Sequence, residues 1–280
     1  MPELDGRTFL ITGANTGIGK ETARALAARG ARVVVACRAQ AAGRQAVEEI
    51  AGQTGNRSLS LLSLDLGDLE SVRRCAEEFL ATGEPLHVLI NNAGVAGARG
   101  MTASGFERMF GTNHVGPFLL TDLLLERLRE SAPARIVTVA SVAHYNAPGI
   151  DWQAVRRPTR SFTTMREYSV SKLANVLHAQ ELARRLDGTG VSTYSLHPGT
   201  VASDIWRGVP WPVRPLIKRR MDSPQRGART SIYCATSPEV ASDSGLYYDD
   251  CRVREPAAAA TAELAAELWR RSSEWTAAGA

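Results

Sequence analysis

The stretch Thr8-Phe9-Leu10-Ile11-Thr12-Gly13-Ala14-Asn15-Thr16-Gly17-Ile18-Gly19 decides the fold. A short apolar run, Thr8 to Ile11, ends in a loop with glycines at 13, 17 and 19, and helical periodicity follows from Ile18 to Ala28. In that order, strand, glycines and helix let the backbone turn tightly and approach a pyrophosphate. The free N–H groups and dipole of a helix N-terminus stabilise such a charge. The segment reads as a dinucleotide loop rather than an ordinary turn between strand and helix.

The rest of the chain repeats the alternation. Further apolar, β-branched runs lie at Arg32 to Ala36, Leu59 to Leu64, Val88 to Ile90, Arg135 to Ala140 and Val191 to Leu196. Helical patterns span Ala39 to Thr54, Leu69 to Ala81, Ser104 to Arg129 and Glu167 to Leu186, and the alanine run 257 to 260 leads into a terminal helix at about 260–276. Val33-Val34-Val35 and Ile136-Val137-Thr138-Val139 are apolar on both faces, as strands covered by helices on two sides must be. The pattern predicts an α/β chain built on a doubly wound parallel sheet.

Composition narrows the function. The chain has 280 residues, 44% hydrophobic and 22% charged, with a net charge of +4. These values exclude disordered, collagenous and coiled-coil classes and suit a single large domain. The pI near 9.0 raises nucleic acid as a partner. The cations, however, alternate with acidic neighbours, as in Arg73-Arg74-Cys75-Ala76-Glu77-Glu78, so no nucleic-acid partner is expected. Cys37, Cys75, Cys234 and Cys251 lack paired metal-site spacing, and no metal is expected. Met1 to Gly6 has neither a basic nor an apolar targeting run, and no apolar stretch has spanning length; a cytoplasmic location without a transmembrane segment is the expectation.

Two further positions point to chemistry. After the second strand, an NAD site usually carries an Asp or Glu for the ribose hydroxyls, but here Cys37 is followed by Arg38. A guanidinium there suits a 2′-phosphate, which favours NADP(H) as the cofactor; a solvent-facing surface arginine is the plain alternative. Tyr168 and Lys172 share a helix face at i, i+4 spacing. A nearby ammonium is expected to lower the phenol's pKa from its usual value of about 10 toward a working range for proton transfer. Ser141 ends the fifth strand, at the edge where open α/β sheets place ligands.

Thr12 to Gly19, Asn91-Asn92-Ala93-Gly94, Asn113, Ser141, Tyr168 with Lys172, and Pro198-Gly199 resemble the ordered motifs of a classical short-chain dehydrogenase/reductase over most of the chain. TGANTGIGKET (12–22), Asn113 to Leu120, Ser171 to Leu177, His197-Pro198-Gly199 and the long gap from Ser141 to Tyr168 are similar to the retinol dehydrogenase-like branch. The resemblance implies a single-domain Rossmann fold with a mostly seven-stranded parallel sheet. It also implies roles. Tyr168 would be the general acid/base, Lys172 the holder of the nicotinamide ribose, and Ser141 the hydrogen-bond donor to the substrate oxygen. Asn113 would hold a helix kink and a water. Gly13, Asn15, Thr16, Gly17, Ile18 and Gly19 would cradle the pyrophosphate. Asp65 and Leu66 would contact adenine, Asn91, Ala93 and Gly94 the adenosine ribose, and Pro198, Gly199, Val201 and Ser203 the nicotinamide. Plainer readings stand beside these: Asp65 as a cap for the helix near Asp68, Asn113 on an exposed helix face, and His197 as a structural histidine.

Between about 201 and 222, three prolines interrupt an apolar, tryptophan-bearing stretch, which reads as a substrate lid with Trp206 and Trp211 as contacts. Packing of these tryptophans on the core or a partner subunit is the alternative. Lys218-Arg219-Arg220 raises weak peripheral contact with anionic lipid. The leading expectation is an NADP(H)-dependent enzyme interconverting a small lipophilic aldehyde or ketone and its alcohol, as a homodimer or homotetramer. A sugar-nucleotide epimerase/dehydratase is disfavoured because no large domain follows Leu196. A non-catalytic NADPH-binding regulator would need no proton donor.

Overall fold

The computed structural model describes residues 3–199 and 223–277. The strands are β1 (Thr8–Thr12), β2 (Arg32–Cys37), β3 (Leu59–Ser63), β4 (Val88–Asn91), β5 (Ala134–Val139), β6 (Val191–His197), β7 (Leu246–Asp249) and β8 (Arg252–Arg254). They form one sheet in the order β3-β2-β1-β4-β5-β6-β7-β8. The first seven run parallel and β8 returns antiparallel. The seven-stranded parallel sheet expected from sequence is therefore present, with one added edge strand. The order reverses between β1 and β4, which opens a crevice at the carboxyl ends of these strands.

Helices cover both faces: α1 (Gly17–Ala28), α2 (Gln40–Thr54), α3 (Leu69–Ala81), α4 (Gly116–Glu130), α5 (Met165–Arg185), α6 (Pro224–Thr236) and α7 (Ala262–Ala277). Alternate strand residues feed two separate cores. Phe9, Ile11, Val33 and Val35 pack with Leu26 of α1, Ile50 of α2 and Cys234 of α6. Leu10, Leu89 and Ile136 pack with Val72 of α3, Leu124 of α4 and Leu182 of α5. Each fully buried aliphatic side chain removes enough surface from water to contribute about 1.5–3 kcal/mol. None of the described helices is long and apolar enough to cross a membrane.

The single helix expected over Ser104 to Arg129 is broken. Glu107 accepts the main-chain N–H groups of Met109 and Phe110 and starts a short helical turn, Arg108–Phe110. A π turn, Gly111–Val115, follows before α4 begins. Close approach explains the glycine at position 116: a Cβ there would lie 2.9 Å from Leu66 Cβ and closer still to the Leu66 carbonyl. Sequence periodicity also missed α6 and β7. The buried face of α6 is Gly227, Ala228, Thr230, Ser231, Cys234 and Ala235, small or polar residues that give little apolar signal. Asp250 and Cys251, with φ of 45° and 60°, form the two-residue hairpin loop into β8, where Asn-Gly would have announced the turn.

Behind the π turn, His114 and His178 meet edge to face at 5.8 Å, both buried. His114 Nε2 bonds Ser272 Oγ of α7 at 2.9 Å. Burial holds His114 well below the ordinary imidazole range and pushes His178 down to about 3.

Gly116→Ala should destabilise the fold by about 1–3 kcal/mol through overpacking against Leu66. Gly52→Ala, on an open face of α2, should stabilise by up to about 1 kcal/mol; thermal unfolding checks both signs. Because His178 binds a proton more weakly folded than unfolded, stability should fall as pH drops from 6.5 toward 3, by up to about 1.4 kcal/mol per pH unit, and His114 shifts in the same direction. Denaturant titrations of His178→Phe should show a slope smaller by one proton.

Candidate active site

The crevice is built outward from Thr12 at the end of β1. Its buried Oγ1 accepts the main-chain N–H groups of Asn92 (3.0 Å) and Ala93 (2.9 Å), and its carbonyl accepts from Asn92 Nδ2 (2.7 Å). These bonds hold the loop after β4 against the loop after β1. Gly13 turns the chain at φ +68°, and a Cβ at Gly19 would sit 2.6 Å from the Gly13 carbonyl, so only glycine lets α1 pack so closely. The first turn of α1 contains no acidic side chain to neutralise its positive end. An anionic, extended ligand such as a dinucleotide pyrophosphate fits this cradle.

A cleft of about 720 Å³ starts at this loop and runs past the ends of β2, β3, β4, β5 and β6. Its volume lies inside the roughly 300–1,000 Å³ usual for small-molecule sites. Gly13 and residues 15 to 19 line it at one side, with Arg38, Asp65 and Leu66 beyond them. Ala93 and Gly94, then Ser141, Tyr168 and Lys172, and finally Pro198 and Gly199 continue the wall. Arg38 is paired with Asp65 at 3.6 Å, but its side chain is 73% exposed, so the pairing is weak and the guanidinium can swing. Asp65 also accepts the Gly67 N–H, while Asp68 is the residue that caps α3.

Two predicted residues are elsewhere. Asn91 does not line the cleft: it is buried, its Nδ2 donates to Thr121 Oγ1 at 2.9 Å, and its neighbour Asn92 takes the place at the wall. Strand alternation is the cause, since consecutive residues point to opposite faces. Asn113 also stands behind the wall, buried in the π turn rather than on an exposed helix face. Its Oδ1 accepts the Val95 N–H at 2.8 Å, and its Nδ2 donates to the Val95 carbonyl and to Ser171 Oγ, both at 2.9 Å. It thus ties the β4 loop to α5 beside Lys172. Val201, Ser203, Trp206 and Trp211, with the lid over about 201–222, lie outside the described residues.

Ser141 follows β5 in extended conformation; its Oγ accepts the Ala143 N–H at 3.2 Å, and its nearness to the Tyr168 phenol favours the phenolate. Lys172, 2% exposed, donates from Nζ to the Val139 carbonyl at 2.8 Å and stands 5.8 Å from the Tyr168 ring centre. Burial pushes Lys172 down to about 8. The Tyr168 phenol moves up, not down as the sequence suggested, because burial outweighs the Ser141 hydrogen bond that favours phenolate. The Lys172 ammonium is aimed at a carbonyl rather than at the phenol oxygen. His197 accepts the Val142 N–H at Nδ1 (3.4 Å), bracing the turn after Ser141; among the described residues no cluster of three metal-type side chains exists.

Sequence reasoning placed Thr12, Asn92 and Ser171 within motifs but assigned none of them its bracing role, which depends on hydrogen bonds across 58 to 81 positions. It also missed an apolar wall beside the phenol: Met109, Ala143 and Tyr168 cluster with Val95, Ala96 and Ala98. Val142 and Met165, 40% and 42% exposed, form part of the cleft's rim. A phenol, a hydroxyl and a buried ammonium at one apolar-walled spot can hold a carbonyl oxygen and exchange a proton with it.

Known proteins agree with this geometry. Human retinol dehydrogenase 12 is 48% identical over 97% of this chain and 87% of its own length. Dehydrogenase/reductase SDR family member 13 of Bos taurus is 44% identical over 97% of this chain and 74% of its own. A crystal structure from Mycobacterium paratuberculosis superposes with a TM-score of 0.78 at 34% identity, covering 99% of this chain and 96% of that one. A structure from Beutenbergia cavernae, described as an NAD(P)-dependent gluconate 5-dehydrogenase with bound NADP, reaches 0.71 at 27% identity over 89% and 97%. The pattern of the short chain dehydrogenase family matches residues 7–210, and with the sheet order, glycine loop and Ser-Tyr-Lys group already in place, the chain belongs to that family of oxidoreductases.

Proposed function

We propose that the protein is an NADP(H)-dependent oxidoreductase that interconverts a lipophilic aldehyde or ketone and its alcohol. The observation that carries this reading is that Ser141, Tyr168 and Lys172 line the same cleft as the glycine loop, with Lys172 Nζ 5.8 Å from the Tyr168 ring centre. The bound reduced dinucleotide supplies the hydride. Tyr168 Oη donates the proton to the substrate oxygen in reduction and takes it back in oxidation. Ser141 donates a hydrogen bond to the same oxygen where negative charge develops. Lys172 holds the nicotinamide ribose and supplies the positive field that favours phenolate. Asn113, through Val95 and Ser171, holds the π turn and a water that links Lys172 to solvent.

Gly13 and residues 15 to 19 cradle the pyrophosphate, with Ala93 and Gly94 along the adenosine ribose and Asp65 and Leu66 beside adenine. Pro198 and Gly199 follow the nicotinamide. Arg38 takes the 2′-phosphate, supported by its exposed, weakly paired guanidinium at the cleft edge. The apolar wall near Tyr168 supports a lipophilic substrate, as does the kinship with proteins named retinol dehydrogenases.

A panel of aliphatic and aromatic aldehydes and ketones with NADPH, followed by loss of absorbance, tests the reading. Tyr168→Phe should lower turnover by about 100-fold or more while NADPH affinity stays within about twofold. A variant as active as the wild type would reject the proton-donor role. Arg38→Ala should weaken NADPH binding about ten- to a hundredfold, the size of a lost charge-assisted contact, and leave NADH nearly unchanged. Equal effects on both dinucleotides in fluorescence titrations would remove the 2′-phosphate assignment.

A further inference from the structure

His144 lies three residues beyond Ser141, in the 3₁₀ turn Val142–Asn146, fully buried and absent from the cleft wall. Its Nδ1 is 2.6 Å from the Ser141 carbonyl oxygen, and its Nε2 is 3.1 Å from the main-chain nitrogen of Ala257. A carbonyl only accepts and a main-chain N–H only donates. The ring therefore carries its one proton on Nδ1 and is neutral. Burial, which holds its pKa below the ordinary imidazole value, agrees with that state. Tyr145 and Tyr247 flank the ring at 4.1 and 4.6 Å between centres, so it cannot turn away. Tyr145 reaches the same C-terminal segment independently, donating from its hydroxyl to the Glu255 carbonyl at 2.6 Å.

We propose that His144 is the positioning residue for Ser141, clamping the serine's main chain to the segment at Ala257 and so fixing the direction of its hydroxyl toward Tyr168. The proposal rests on the roles of Ser141 and Tyr168 given above. Ser141 has left β5 in extended conformation, φ −173° and ψ 154°. Its carbonyl accepts twice, from the main-chain N–H of His144 (3.1 Å) and from the ring. Its hydroxyl already accepts the Ala143 N–H, so the direction left for donation is set by how this turn is held. An imidazole can do this because its two nitrogens face opposite ways, one donating toward the turn and one accepting from the C-terminal segment. No proton is transferred by His144, and it touches no reacting atom.

The test compares full-length wild type with His144→Phe, His144→Asn and Tyr145→Phe, using NADPH and the aldehyde of the panel that wild type turns over fastest. His144→Phe keeps a flat ring between the two tyrosines but loses both hydrogen bonds. It should lower kcat about ten- to a hundredfold, as small misplacements of a catalytic group do, with the KM for aldehyde and the Kd for NADPH within about twofold. The side-chain amide of His144→Asn can still donate to the Ser141 carbonyl and should bring kcat to within about fivefold of wild type. Tyr145→Phe, which cuts only the tie to Glu255, should stay within about threefold. The proposal is overturned if His144→Phe turns over like wild type, if its kcat and NADPH affinity fall together, or if Tyr145→Phe is as slow as His144→Phe. Should His144→Phe not fold, His144→Asn decides: a loss of kcat greater than fivefold overturns the proposal. Wild type inactive on the whole panel would instead overturn the oxidoreductase reading on which the proposal stands.

Discussion

The main-chain carbonyl of Val139 joins the helix that bears the tyrosine and lysine to the strand that ends at the serine. It ends β5 and accepts both Lys172 Nζ at 2.8 Å and Asn175 Nδ2 at 3.1 Å. An ammonium removed from water is costly unless hydrogen-bonded, so this bond decides whether α5 can press its polar face on the sheet end at all. With α5 so seated, Tyr168, one turn before Lys172, is brought against Ser141, two residues past Val139. The chemistry-bearing group is thus a by-product of how one helix docks on one strand end. The upward shift of the phenol and the downward shift of the ammonium share a cause in the same dry interface.

Much of this was legible in the sequence because the signals are local. Glycines 13, 17 and 19 between a strand and a helix, and Tyr168 four residues before Lys172, are short-range patterns that the backbone geometry converts directly into a loop and a shared helix face. The strands of the sheet interior were legible because burial on both sides leaves only apolar side chains. What escaped was set by long-range contacts. The π turn at Gly111–Val115 forms where two loops crowd the helix, and no propensity marks it. Asn91 and Asn92 are indistinguishable as a pair until the strand's phase is known, and the cleft took the second. The upward direction of Tyr168 was unreadable for a similar reason: burial is a property of the assembled site, and spacing conveys only the neighbouring charge.

The wall behind the cleft is held from several directions, each by a buried polar side chain with well-defined partners. Asn113 joins the β4 loop to α5, Thr12 joins β1 to that same loop, and His144 joins the serine turn to the chain leading into α7. Each replaces main-chain partners that loops cannot supply for themselves, since an unpaired N–H or carbonyl at such depth would cost about 1–3 kcal/mol. The region needing the greatest geometric accuracy is therefore the region where side chains act as substitutes for regular secondary structure.

The far edge of the sheet has a different consequence. β8 is three residues long, exposed, and places Arg252 and Arg254 on either side of Val253. An open strand margin ordinarily invites a foreign chain to extend the sheet; brevity and two like charges deny it a template. β8 therefore makes one margin of the sheet a poor seat for a further strand, while β3 forms the opposite margin.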